Sequence, residues 1–288
     1  MIGFTVFGAN GFIGRHVVAE LRRRGQNVAT PMRTAPVDGL GELGHVIYCA
    51  GLTADFRTRP YDTMEAHVTL PSRLLQTARF ASFLYLSSTR LYGAASTGRE
   101  CAVMTVDPSS PSDLYNLSKL AGEAMCLNST DPAVRVARLS NVYGAEMFAP
   151  GADTSNFLAS VVADAVRTGH VALGSSPDSA KDYVHIDDVV DALIRISTSG
   201  TSRIYNVATG RNVANRHVMD LLGTLTGCTW AAADGAPLTR FPRICTKALA
   251  GLFSSAGADW QPASLADRMN ELVTAAAGGA KTYEGAVA

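Results

Sequence analysis

One short segment constrains this chain more than any other. Gly8-Ala9-Asn10-Gly11-Phe12-Ile13-Gly14 stands between an apolar run and a helical pattern. Ile2 to Phe7 reads as a buried strand that stops at a glycine. Phe12 to Arg24 reads as a helix, with Phe12, Val17, Val18 and Leu21 along one face. Arg22, Arg23 and Arg24 suit the negative end of its dipole, and Gly25 can cap it. A strand, a glycine turn and a helix N-terminus together aim backbone N–H groups and a helix dipole at a pyrophosphate. Gly8 permits the tight turn, Gly11 the close approach of phosphate, and Gly14 the close contact of helix with strand. The segment therefore predicts a dinucleotide site.

The rest of the chain extends the same alternation. Strands are expected at Val28 to Met32, Val46 to Ala50, Phe83 to Ser87, Val134 to Arg138 and Tyr205 to Ala208. Helices are expected at Thr63 to Arg79 (despite Pro71), Leu114 to Asn128, Phe157 to Thr168, Val189 to Ser197 and Val218 to Thr226. Right-handed crossovers then give an α/β architecture with a doubly wound parallel sheet. Pro36, Gly39, Gly41 and Gly44 break any long element between the second and third strands. Beyond residue 145 the pattern loosens. Glu146 to Thr154 and Gly169 to Ala180 read as loops, 228–262 as irregular cover, and the last ten residues as a frayed tail. Residues 1–145 with about 181–206 are expected to form the nucleotide-binding domain. Residues 146–180 and 207–288 would form a smaller substrate-binding region.

Composition narrows the partners. Lys+Arg 25 balances Asp+Glu 25, which argues against a nucleic-acid or anionic-membrane binder. The five cysteines form no C-x-x-C pair and the six histidines show no ligand spacing, so no metal site is expected. Cys49, on a core strand, reads as an inert small hydrophobe. The odd cysteine count fits a reduced, cytoplasmic setting. The glycine turn begins too early for a secretory leader ahead of it, and no apolar run reaches the length of a membrane helix. If the chain assembles, a homodimer is expected.

Two further features carry chemistry. An acid about twenty residues after the glycines would bind a ribose 2′-hydroxyl, whereas an Arg suits a 2′-phosphate. Here Ala29-Thr30-Pro31-Met32-Arg33 holds no acid, and the next is Asp38. Arg33 thus favours NADP(H), with NAD(H) as the alternative. Tyr115-Asn116-Leu117-Ser118-Lys119 then places a phenol and an ammonium on one helix face. A cation beside a phenol lowers its pKa from about 10, which makes Tyr115 a general acid/base for exchange between hydroxyl and carbonyl.

Together with Leu86-Ser87-Ser88-Thr89-Arg90-Leu91-Tyr92-Gly93, these blocks resemble the extended short-chain dehydrogenase/reductases, the NAD-dependent epimerase/dehydratase family acting on nucleotide sugars. Arg138 to Gly144 and Lys181 to Val189 match two further family segments. The resemblance implies a Rossmann-like fold, a nicotinamide cofactor and a nucleotide-sugar substrate. It puts Gly8, Asn10, Gly11, Phe12, Ile13, Gly14, Arg33, Ala50 and Gly51 at the cofactor. Tyr115 would pass the proton and Lys119 would hold the nicotinamide ribose. Ser88 would bond the reacting sugar oxygen, and Asn141, Asn156 and Lys181 would meet the substrate diphosphate.

Three departures matter. Family dehydratases carry Asp-Glu directly after the catalytic Ser/Thr, where this chain has Thr89-Arg90, so sugar 4,6-dehydration is not expected. His67 replaces a frequent Asn beside the nicotinamide and reads as a neutral, buried histidine. The stretch from Arg33 to Val46 is short, so one strand and helix are expected to be trimmed. Asp187-Asp188 read as caps of the helix from Val189, and Tyr92 and Tyr143 as packing or lining residues. The reaction expected is 4-keto reduction or 4-epimerisation. The alternatives are a reductase of a non-nucleotide carbonyl compound and a non-catalytic dinucleotide sensor.

Overall fold

A computed structural model of the chain describes residues 3–33, 40–53, 55–149 and 156–284, the side chains only as far as 278. Pro36, Asp38 and Gly39, and the last four residues of the expected tail, lie outside that range, as do residues 150–155 of the loop after Glu146.

The strands β1 (Phe4–Phe7), β2 (Val28–Ala29), β3 (His45–Tyr48), β4 (Ser82–Ser88), β5 (Val134–Leu139) and β9 (Ile204–Val207) form one parallel sheet. Their order is β2-β1-β3-β4-β5-β9, so the direction of winding reverses between β1 and β3. Ligands of doubly wound sheets gather at such a reversal, beyond the carboxyl ends of the strands. Strand β4 is almost wholly buried, as a strand covered on both faces must be. On one face α1 (Phe12–Arg23) and α6 (Ile186–Ser199) pack through Val17, Leu21, Val189 and Leu193. On the other lie α2 (Pro60–Met64), α3 (Leu70–Thr77) and α4 (Leu114–Asn128), closing over Tyr48, Phe83 and Tyr85. The described residues between β2 and β3 contain no helix, in keeping with the short stretch in the sequence.

A second layer holds β6 (Asn141–Tyr143), α5 (Phe157–Thr168), β7 (His170–Leu173), β8 (Ala180–His185), β10 (Asn212–Ala214), α7 (Asn215–Thr226), β11 (Thr229–Ala232), α8 (Lys247–Ser255) and α9 (Leu265–Glu284). β10, β8 and β6 make a small mixed sheet, and β11 pairs with β7. Leu158, Val162, Met219, Leu222, Met269 and Leu272 form this layer's own core, while α8 packs back on the large sheet through Leu249 and Phe253.

Several elements differ from the sequence reading. β2 is two residues long rather than five, because Pro31 has no N–H to offer a ladder. The stretch 228–262 contains β11 and α8, and the C-terminal helix continues to Glu284 where a frayed tail was expected. The loop expected at 169–180 contains β7. Helix α6 begins at Ile186 with His185 as its N-cap, whose ring accepts the Asp187 N–H at 3.3 Å. Asp187 and Asp188 are therefore first-turn acids favoured by the dipole, not caps.

The helix expected from Thr63 begins at Pro60 and contains a π-helical turn, Glu65–Thr69, between α2 and α3. Pro71 explains it: without an N–H it cannot bond the carbonyl four residues earlier, on His67. The Leu70 N–H reaches back to the Glu65 carbonyl instead, which also frees Ala66. Two hydroxyls from the sheet take the released carbonyls. Tyr48 Oη donates to Ala66 O at 2.6 Å and Tyr85 Oη to His67 O at 3.0 Å. Gly122 on α4 faces this junction, and a Cβ there would lie 2.3 Å from both His67 O and Tyr85 Oη. The bulge turns His67 fully inward.

Candidate active site

The glycine turn has the geometry its spacing predicts. Gly8 has φ +75°, and a Cβ on it would lie 2.6 Å from the Ala50 nitrogen. A Cβ on Gly14 would stand 2.2 Å from the Gly8 carbonyl, so α1 meets the turn at a distance only glycine allows. Gly11 is the N-cap of α1, no side chain caps that end, and the first turn holds no acid. The amide end around Asn10, Phe12 and Ile13 is thus left for an anion. A Cβ on Gly51 would approach His67 Nε2 to 2.9 Å and Lys119 Nζ to 3.4 Å. Ala50 and Gly51 therefore keep the floor beyond β3 low, beside the lysine. These residues fit a dinucleotide. Arg33, at the far end, is exposed and 3.4 Å from Asp62.

Tyr115 and Lys119 project from the first turns of α4 and are both buried. Lys119 Nζ donates to Leu86 O at 2.9 Å, which ties α4 to β4. Burial lowers its pKa from 10.5 to about 8, partly offset by Glu123 one turn along the helix. Ser88 ends β4, and its Oγ accepts the Arg90 N–H at 3.1 Å. The expectation that Lys119 draws the Tyr115 pKa down needs correcting. Burial raises the Tyr115 pKa above 10, and the groups that oppose this are the Ser88 hydroxyl and the Arg90 guanidinium. The guanidinium carbon of Arg90 lies 5.3 Å from the Tyr115 ring centre, against 6.0 Å for Lys119 Nζ.

His67 links the parts. Its Nε2 accepts the Leu52 N–H at 3.2 Å, so the ring proton belongs on Nδ1, which reaches Ser118 Oγ at 2.8 Å. Ser118 in turn donates to the Tyr115 carbonyl at 2.9 Å. Burial, and then the Lys119 charge, lower the His67 pKa to about 2, so the ring is neutral. The ring stands nearly perpendicular to that of Tyr115, with centres 5.6 Å apart.

Above Ser88 opens a cavity of about 370 Å³, lined by Ser88, Thr89, Arg90, Asn141, Lys181 and Asp182 among others. Asn141 Nδ2 donates to Asp182 O at 2.7 Å, and Lys181 Nζ lies 5.3 Å from the Phe157 ring centre. The structure thus brings Ser88, Asn141 and Lys181 to one cavity. Asn156 is not among its lining residues. Its Oδ1 caps α5 by accepting the Ala159 N–H at 3.0 Å, an assignment to helix start that its place before Phe157 already signalled. Tyr92 is buried behind the cavity between Arg138 and Asn206, and Tyr143 packs edge-on against His185.

Residues 4–208 match the model of the NAD dependent epimerase/dehydratase family. The chain belongs to that family. A dTDP-glucose 4,6-dehydratase of Streptomyces griseus is 29% identical over 159 residues, 54% of this chain and 46% of that enzyme. The match thus spans about half the length of that relative. A dTDP-6-deoxy-L-talose 4-dehydrogenase (NAD(P)(+)) of Kitasatospora kifunensis is 28% identical over 250 residues, 76% of this chain and 77% of that enzyme. Among solved structures, MoeE5 in complex with UDP-glucose and NAD superposes with a TM-score of 0.70 at 22% identity, covering 95% of this chain and 98% of that one. The talose dehydrogenase is named for NAD(P)(+) and MoeE5 was solved with NAD, and this epimerase/dehydratase family member shares the fold of MoeE5. Among the described residues no helix is long and apolar enough to cross a membrane, and no three His, Cys, Asp or Glu gather as a metal site would require.

Sequence reasoning missed two contributors to the site. Arg90 registered only as a break in the dehydratase pair, although its place two residues after Ser88 was signal enough to put it at the cavity. Phe56, 2% exposed, packs at a tilt against Tyr115 with ring centres 5.6 Å apart, and nothing in its loop sequence announces that contact.

Proposed function

We propose that this epimerase/dehydratase family member exchanges a hydride and a proton at one carbon of a nucleotide sugar, C4, in 4-keto reduction or 4-epimerisation. The observation that carries this reading is that Ser88, which lines the cavity, meets the Tyr115 phenol, with Lys119 one turn further along α4. When bound, the nicotinamide supplies or accepts the hydride. Ser88 Oγ would hold the reacting oxygen. Tyr115 would give or take its proton, helped by the Arg90 charge against the cost of burial. Lys119, fixed by Leu86 O, would meet the nicotinamide ribose, and Asn141 and Lys181 would meet the substrate diphosphate. A lysine acts there as a point charge rather than a fork.

Residues 1–145 with 181–206 would carry the cofactor, and 146–180 with 207–288 the sugar nucleotide, although β8 pairs only within the small sheet and sends Val184 to the first core and Tyr183 to the second. NADP(H) is the favoured cofactor. Arg33 is exposed, and its single acidic neighbour among the described residues, Asp62, is itself half in solvent, so a 2′-phosphate can replace it. If NADP(H) binds, reduction is favoured over epimerisation, since a reductase draws on a reduced pool.

Replacing Tyr115 with Phe tests the chemistry. The variant is expected to bind cofactor as the parent does and to lose about 10² to 10⁴ in kcat, the range for a positioned acid/base. Near-normal turnover in that variant removes Tyr115, and this reading, from consideration. Cofactor titration by nicotinamide fluorescence tests the other half: NAD(H) binding tenfold tighter than NADP(H) would overturn the preference.

A further inference from the structure

Two cations line the cavity among the described residues, Arg90 and Lys181. Under the proposed function Lys181 meets the diphosphate, which leaves Arg90 without an assigned anion. The one carboxylate on the lining, Asp182, is fully engaged. It accepts from Ser140 Oγ and the Thr209 N–H on one oxygen, and from Thr209 Oγ1 and the Arg211 N–H on the other. It cannot serve as the counter-ion of Arg90.

Nor does any other acid. Among the described residues Arg90 makes no ion pair, and its one side-chain hydrogen bond runs from Nη2 to Ser112 O at 3.1 Å. Asp113, the carboxylate whose charge acts on it, spends its oxygens on the Asp107 N–H and on Asn116 Nδ2, both at 2.9 Å. Nε and Nη1 of Arg90 have no hydrogen-bond partner among the described residues. The guanidinium is nonetheless clamped, 5.5 Å from the Phe56 ring centre and 5.3 Å from that of Tyr115. Phe56 is itself buried, so the stack is no loose surface contact. A half-buried cation held in place without a partner is unfavourable until an anion reaches it. Its position decides which anion. Arg90 follows Ser88 by two residues and overlies Tyr115, which puts an anion bound to it within reach of the reacting carbon, while its charge is also felt by Lys181 across the cavity.

We propose that Arg90 receives a carboxylate carried by the sugar ring next to the reacting carbon, so that the substrate is a nucleotide-linked sugar acid rather than a neutral sugar. This rests on the nucleotide-sugar reading above. A planar guanidinium suits a carboxylate, and charge-assisted bonds are stronger than neutral ones.

Calorimetric titration of the cofactor-loaded protein tests it, with UDP-glucuronic acid against UDP-glucose, their thymidine counterparts, and UDP and dTDP alone. The sugar acid is expected to bind at least tenfold more tightly than the neutral sugar. Arg90→Gln should weaken the sugar acid by about 10- to 100-fold and bring the acid-to-neutral ratio near one. Arg90→Lys should regain part of that ratio, because the charge is kept. Unchanged cofactor affinity and melting temperature in both variants would show that the fold is intact. Equal or better binding of the neutral sugar by the parent overturns the proposal. So does an equal loss for both sugars in Arg90→Gln, which would place Arg90 at the diphosphate. If UDP or dTDP binds while the acid gains nothing, only the Arg90 assignment falls. If neither nucleotide nor any sugar nucleotide binds, the nucleotide-sugar reading falls and takes this proposal with it.

Discussion

Behind the cavity Arg138 of β5 and Glu123 of α4 form an ion pair that is 5% and 3% exposed. Nε and Nη2 of Arg138 donate to the two carboxylate oxygens at 2.9 and 2.6 Å. Nη1 adds Tyr92 Oη at 2.9 Å and Glu100 O at 3.0 Å, and Tyr92 passes its own proton to Asn206 Oδ1 at 2.8 Å. Burial disfavours the guanidinium charge, but Glu123 outweighs it and holds the Arg138 pKa above its usual value. Arg138→Met leaves the Glu123 carboxylate buried without a partner, a loss expected to cost about 3–5 kcal/mol. At about 2–4 °C per kcal/mol for a chain of this size, the melting temperature should fall by about 6–20 °C. Adding Glu123→Leu removes the orphaned charge and should restore most of that loss, because two apolar side chains of similar volume need no pairing. The assay is urea unfolding of the parent, both single variants and the double variant. A loss under 1 kcal/mol in either single variant would refute the reasoning. A double variant as unstable as the sum of the singles would refute it too, since the cost would then lie in packing and not in an unpaired charge.

Gly14→Ala sets a helix-propensity gain of about 1 kcal/mol against a Cβ placed 2.2 Å from the Gly8 carbonyl. The turn must open, so titration should show cofactor affinity at least tenfold weaker, and unchanged affinity would refute the close-approach argument. For His67, the folded pKa of about 2 lies below the 6.5 of the unfolded chain. The unfolded state therefore takes up a proton that the folded state refuses, and stability falls as pH drops from about 6.5 towards 2. His67→Gln should flatten that slope by up to one proton, about 1.4 kcal/mol per pH unit, in urea unfolding between pH 6.5 and 4. An identical slope in the variant would mean that His67 protonates in the folded chain.

The sequence alone determined the parts whose physics is local. A glycine at residue 8 is needed for a positive φ, and glycines at 8 and 14 for the close approach of strand and helix, so their spacing announced both the turn and the cofactor. The period-3.6 pattern located α1, α4 and α5, and a continuous apolar run located β4, to within a residue or two, because each helix buries one stripe and β4 is buried on both faces. The i and i+4 spacing placed Tyr115 and Lys119 on one helix face. Short, partly exposed strands such as β7, β10 and β11 were not legible, since their pairing partners lie 30 to 59 positions away in the chain and leave little local pattern. The electrostatics of Tyr115 were not legible either. Spacing named Lys119 as its cation, but the lysine is drawn off to Leu86 O while a strand-end arginine, held by Phe56 and Ser112, stands closer. Charge acts through space, and only the packing of β4 against α4 and the loop around Phe56 decided which charge the phenol would feel.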